Sequence, residues 1–182
     1  MVPGHSEWKR NLLLVGFMGA GKTTLGGILS KRCRLDFVDT DQLITEQFGL
    51  SVADIFSRYG ENAFRVAETE LLRNLAARCR HSVIATGGGM VLKDENWRVM
   101  RQIGPVVFLR ADEQELVERL SSATGRPLAD DSDREAILER YRQRLPCYLR
   151  ADLVVETKNQ APLEVVDAIL GGLERVNPKW LF

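Results

Sequence analysis

The chain has 182 residues, 45% hydrophobic and 27% charged, the composition of one ordinary globular domain rather than of a disordered, fibrous or membrane-embedded chain. Twenty-five Lys and Arg balance twenty-five Asp and Glu, which argues against a broad footprint for nucleic acid or anionic membranes and leaves anions to local clusters. Cys33, Cys79 and Cys147 are far apart and form no C-x-x-C pair, so reduced thiols are expected rather than a disulfide framework or a zinc site.

Residues 1–10 read as a polar tail and 11–182 as a single domain without a stretch of transmembrane length, so a cytoplasmic location is expected. The first predicted strand, 12–17, runs into Gly16-Phe17-Met18-Gly19-Ala20-Gly21-Lys22-Thr23. That run fits G-x-x-x-x-G-K-[ST] between a strand and a helix predicted over 23–33. Glycines let backbone N–H groups turn inward around phosphate oxygens, and the helix presents its positive end to them. Lys22 then reaches the β- and γ-phosphates of a nucleotide and Thr23 ligates magnesium. Such a loop serves motors, switch GTPases and small-molecule kinases alike. No N-K-x-D guanine-reading segment is present, Thr157-Lys158-Asn159-Gln160 being the nearest look-alike, and the chain is short for an ABC or helicase motor.

The second strand, 37–38, ends at Asp39-Thr40-Asp41, where open α/β sheets hold their ligands. Capping the next helix requires one aspartate, not two, so at least one of Asp39 and Asp41 is expected to serve a metal shell or a substrate hydroxyl. Helical patterns over 43–48 and 52–56 are set off by Gly49 and Gly60. A clear amphipathic helix follows over 62–79, with Phe64, Ala67, Leu71, Leu72, Leu75 and Ala76 on one face. Near its start Arg65 lies between Glu61 and Glu68, the spacing of a surface ion pair.

The third strand, 82–86, opens into Gly87-Gly88-Gly89, a run suited to close approach of backbone to a ligand. After a helix over 95–103, strand 106–110 leads to Asp112, which with Glu115 reads as a capping box for a helix over 114–120 rather than as a metal-binding aspartate. Residues 121–133 are rich in Gly, Pro, Asp and Ser and read as an exposed mobile loop, in which Arg126-Pro127 suits a lid arginine. A helix over 134–145 ends with Arg144 before Pro146, and strand 153–156 and a helix over 163–176 complete the chain. This alternation implies an α/β three-layer sandwich around a mainly parallel sheet.

The phosphate loop, Asp39-Thr40-Asp41, Gly60-Glu61-x-x-Phe64-Arg65-x-x-Glu68, the triple glycine, Arg126-Pro127-Leu128 and Arg144-x-Pro146-x-Tyr148 occur together in an order and spacing that resembles the shikimate kinases over nearly the whole chain. The resemblance implies a five-stranded parallel sheet of the nucleoside monophosphate kinase type, with a substrate-binding region at about 40–68 and a lid at about 121–133. It implies transfer of the γ-phosphoryl of ATP, with Mg2+, to the 3-hydroxyl of shikimate by a monomer that binds neither nucleic acid nor membrane.

By the same resemblance, Lys22, Asp41 and Arg126 are catalytic, Asp41 as candidate base. Gly19, Ala20, Gly21, Lys22, Thr23, Thr24, Arg119, Arg126 and Pro162 hold the nucleotide, with Arg119 and Pro162 flanking adenine. Asp41, Arg65, Gly87, Gly88, Gly89 and Arg144 hold the acceptor, and Thr23 and Asp39 serve the metal. Gln160 stands where some relatives carry an arginine near the nucleotide, and Ala129 where many carry leucine. The rival readings are a kinase for another hydroxy acid such as gluconate, a nucleoside monophosphate kinase, and a nucleotide-binding module without turnover.

Overall fold

The computed structural model describes residues 10–123 and 131–180. In chain order these form β1 (Leu12–Val15), α1 (Lys22–Cys33), β2 (Asp36–Asp39), α2 (Thr40–Phe48), α3 (Val52–Arg78), β3 (Ser82–Ala85), α4 (Asp94–Ile103), β4 (Val106–Arg110), α5 (Glu113–Ala123), α6 (Asp131–Tyr148), β5 (Leu153–Glu156) and α7 (Pro162–Val176). Short 3-10 turns occupy Met90–Leu92 and Pro178–Trp180.

The strands make one all-parallel sheet in the order β2-β3-β1-β4-β5. β1 lies in the middle, and Leu12, Leu13, Leu14 and Val15 are all fully buried. A central parallel strand covered by helices on both faces requires such a continuous apolar run rather than alternation. α1 and α7 pack together on one face of the sheet, α3 and α4 on the other. From β1 the chain visits β2 and β3 on one side and β4 and β5 on the other. The switch point therefore falls at the carboxyl end of β1, where the glycine loop begins, and parallel strands bring the ends of β2 and β3 to the same edge.

Gly60 breaks α3 with φ 81 and ψ 161, a conformation open to glycine alone. The helix before it packs on α2 through a small separate core of Ile44, Ile55, Phe64 and Ala67. This core holds the second half of α3 in place at the mouth of the sheet.

Two expectations are corrected. The loop predicted over 121–133 is shorter, because α5 continues to Ala123 and α6 starts at Asp131. A polar, acidic sequence is as compatible with a helix's first turn as with a loop, so composition alone does not separate the two. The intervening 124–130, with Arg126, Pro127 and Ala129, lie outside the described residues. The helix expected to stop at 145 runs through Pro146 to Tyr148. Proline removes one N–H from the helix, and the last turn is held instead by the burial of Tyr148, stacked on Phe108 with ring centroids 5.0 Å apart.

Candidate active site

The loop after β1 turns on Gly19 and Gly21, both left-handed at φ 78 and 87. Lys22 heads α1, and its Nζ donates to the carbonyls of Gly16 and Phe17, each at 2.8 Å. Burial lowers the lysine pKa to about 8, although Asp41 and then Asp39 favour its charged form.

At the end of β2 the two aspartates divide their work. Asp39 caps α2, its Oδ1 accepting the N–H groups of Asp41 (3.0 Å) and Gln42 (3.3 Å). Its other oxygen accepts the hydroxyl of Thr23 at 2.8 Å, so the two side chains expected to serve a metal are adjacent hard oxygen donors. Between them in sequence, Thr40 is buried and its Oγ1 accepts the Gly87 N–H at 2.9 Å. Asp41 does no capping, and its Oδ1 is buried without a hydrogen-bond partner among the described residues. Burial raises its pKa, the charge of Asp39 adds to the rise, and Lys22 and Arg65 oppose it. Asp41 therefore stands within electrostatic reach of both the phosphate-loop lysine and Arg65.

The triple glycine forms a floor beneath these groups. A Cβ on Gly87 would lie 2.5 Å from Asp41 Oδ1 and 2.7 Å from Glu68 Oε1, and one on Gly89 would collide with the Arg65 guanidinium. Only glycine leaves room for this approach, and the Gly87 N–H, donated to Thr40, holds the backbone there. Arg65 is no ordinary surface ion pair. Glu61 Oε1 takes its Nε (3.1 Å) and Nη2 (2.7 Å), while fully buried Glu68 accepts Nη1 at 2.8 Å. Of five guanidinium N–H groups, one on each terminal nitrogen remains free of these three bonds, enough to meet the two oxygens of a carboxylate.

Arg144 approaches from α6, its guanidinium 5.9 Å from the Phe17 ring centroid. Among the described residues it makes no ion pair with a carboxylate. The Glu61 carboxyl is lowered chiefly by its hydrogen bond from Arg65, and the charge of Arg144 acts on it as well, which brings both arginines to one region.

Beside this cleft lies a cavity of about 580 Å³, walled by Gly19, Ala20, Gly21, Lys22, Thr23, Thr24, Arg119, Gln160 and Pro162, with Leu25, Leu120, Thr157 and Val165. Every residue expected at the nucleotide is thus on one wall, Arg126 excepted, which lies outside the described residues. Arg119 reaches back to the carbonyl of Gly19 at 3.4 Å and pairs with Glu115 at 2.7 Å. Gln160 lines the same cavity. The expected capping box at Asp112 is half formed: Asp112 accepts the Gln114 N–H, but Glu115 Oε1 accepts the Asn159 N–H instead.

Glu68, Thr40 and Tyr148 are site-forming residues given no role of their own from the sequence. The helical spacing of Glu68 from Arg65 was visible, but its burial depends on Gly87 across the cleft.

The shikimate kinase family model matches residues 18–174. Shikimate kinase of Thermodesulfovibrio yellowstonii is 40% identical over 169 residues, covering 92% of this chain and 97% of that protein. The structure of Acinetobacter baumannii shikimate kinase in complex with shikimate superposes with a TM-score of 0.84 at 32% identity, covering 95% of this chain and 96% of that one. A gluconokinase from Sinorhizobium meliloti shares the fold alone, with a TM-score of 0.59 at 20% identity, covering 92% of this chain and 93% of that one.

Proposed function

The chain belongs to the shikimate kinase family, and from that premise we propose how its own residues carry the reaction. It is an ATP-dependent kinase that transfers the γ-phosphoryl of ATP to the 3-hydroxyl of shikimate, giving shikimate 3-phosphate and ADP in aromatic amino acid biosynthesis. The observation that carries the assignment of roles is Asp41, whose buried Oδ1 has no hydrogen-bond partner among the described residues and feels the charges of both Lys22 and Arg65.

Asp41 orients the acceptor hydroxyl and takes its proton, while Arg65 and Arg144 hold the acceptor carboxylate by charge-assisted hydrogen bonds. The N–H groups of the loop from Gly19 to Thr24, with Lys22, hold the phosphates. Thr23 and Asp39 fit Mg2+, which needs only one or two protein oxygens beside phosphate and water, and the ion neutralises phosphate charge when bound. Arg119, Gln160 and Pro162 line the nucleoside end. Arg126, matched by sequence alone, is assigned to the transferring phosphoryl. Because the transition state is loose, positioning and electrostatics outweigh early deprotonation.

A monomer is part of the same proposal. The balanced charge supports a small-molecule partner without nucleic acid or membrane, and no helix among the described residues is long and apolar enough to cross a membrane. A cytoplasmic location completes the proposal.

ADP release in the presence of Mg2+ is expected to depend on shikimate and not on gluconate. Phosphorylation of gluconate but not shikimate overturns the substrate assignment. Arg65→Lys keeps a cation opposite Glu68 but loses the planar fork. It is expected to raise the shikimate KM on the order of 10²-fold with the ATP KM unchanged, the scale of one or two charged hydrogen bonds. Steady-state kinetics in both substrates check this, and full activity in the lysine variant would remove the fork from the mechanism.

A further inference from the structure

Tyr148 belongs to none of the groups assigned above, yet it is fully buried and its hydroxyl donates to the Gly88 carbonyl at 2.5 Å. Its ring is stacked on Phe108 of β4 with planes 14° apart, so the hydroxyl has little freedom to leave. We infer that Tyr148 is a positioning residue for the acceptor: by holding the Gly88 carbonyl, it turns the Gly88–Gly89 peptide so that the Gly89 N–H faces the cleft. The inference rests on the shikimate kinase reading.

The argument is one of peptide geometry. No peptide bond in the described chain is cis, and across a trans peptide the carbonyl and the following N–H point in opposite directions. With the Gly88 carbonyl drawn toward α6, the Gly89 N–H points away from it. Neighbouring donors are engaged: the Gly87 N–H by Thr40, the Met90 N–H by the Gly87 carbonyl, the Leu92 N–H by the Gly89 carbonyl. The Gly89 N–H has no such acceptor among the described residues, although Gly89 is buried. A backbone N–H without a protein acceptor is one that a ligand can use. The Arg65 guanidinium lies directly against Gly89, so an acceptor oxygen brought in by Arg65 arrives beside this donor.

A run of three glycines makes such an anchor necessary. With no side chains at 87, 88 or 89, the steric barrier to rotating the central peptides is low, and the turn bond from the Met90 N–H to the Gly87 carbonyl is compatible with either orientation of the Gly88–Gly89 peptide. Tyr148 selects between them from the end of the helix that also carries Arg144. Burial keeps the phenol proton in place, since it pushes the pKa of Tyr148 upward, with Arg144 opposing.

Tyr148→Phe keeps the ring on Phe108 and removes only the hydroxyl. The expected result is a shikimate KM raised about 5- to 20-fold, the scale of one hydrogen bond, with the ATP KM within about twofold. In the same pair of proteins, hydrogen exchange at the Gly89 amide, read by NMR, slows on adding shikimate to the wild type and much less in the variant. Unchanged kinetics, or equal shifts in both KM values, overturn the inference. Should the variant fail to fold, the wild-type amide decides alone, and exchange at Gly89 indifferent to saturating shikimate overturns it. A wild type that does not phosphorylate shikimate overturns the functional reading and this inference with it, whereas normal turnover with indifference to the Phe variant overturns only the inference.

Discussion

Asp41→Asn is expected to lower kcat for shikimate phosphorylation about 10²- to 10⁴-fold, the range for loss of a group that both positions the hydroxyl and takes its proton, with little change in the ATP KM. The substitution is close to isosteric and leaves the start of α2 intact, because Asp39, not Asp41, accepts the capping N–H groups. It should also stabilise the fold at neutral pH. Burial and the charge of Asp39 raise the Asp41 pKa above its ordinary value, so the native state binds this proton more tightly than the unfolded chain. The stability this group contributes is fully present below its unfolded pKa and is lost as pH rises through the raised folded value. Asparagine has no charge to desolvate, so Tm at pH 7 is expected to rise as activity falls. In the wild type, kcat/KM for shikimate falls as pH drops through the raised Asp41 pKa, and that acid limb is absent in the variant. A kcat within tenfold of wild type, or an unchanged acid limb, would falsify the assignment of Asp41 as the hydroxyl reader.

The pairing of high catalytic cost with gained stability is what a buried, unpartnered carboxylate oxygen implies. The phosphate loop could be read from the sequence because its function is carried by local backbone, with Gly19, Gly21 and Lys22 fixed by spacing between a strand and a helix. Asp39 and Asp41 could be read as a pair because one cap needs one aspartate. The strands were placed within two residues at each end because parallel central strands are continuous apolar runs bounded by turns.

What escaped was set by tertiary contact. Glu68, three residues after Arg65, has the spacing of countless solvated pairs, and only the absence of a Cβ at Gly87 lets its carboxylate lie buried against the cleft. The end of α6 was misplaced because proline is a local stop signal, here overridden by the stack of Tyr148 on Phe108 and its bond to Gly88. Glu115 had the spacing of a capping box, but a loop after β5 offered it the Asn159 N–H.

Lys22→Met is expected to reduce kcat/KM for ATP about 10³-fold or more, since the role proposed for Lys22 is that of a preorganised cation at the phosphates, and such groups carry large shares of phosphoryl-transfer catalysis. Methionine fills a similar length and leaves only the carbonyls of Gly16 and Phe17 without the amine, both on a glycine loop that faces the nucleotide cavity. The pH behaviour separates charge from shape. Burial lowers the wild-type lysine to about 8, so kcat/KM for ATP is expected to fall as pH rises through about 8, where the amine becomes neutral. Phosphate anions close to the amine favour its charged form, so the alkaline limb of kcat lies higher than that of kcat/KM. The methionine variant has neither limb. Its stability moves in the opposite sense to its activity: a lysine whose folded pKa lies below its unfolded one contributes stability that is fully present only above the unfolded value of 10.5 and is lost as pH falls to about 8, so removing the amine should raise Tm at pH 7 and bring little change above about pH 11. Parallel pH profiles and melting curves of the two proteins check both statements. An alkaline limb near pH 8 that survives in the methionine variant would assign it to another group and leave Lys22 a structural part of the loop.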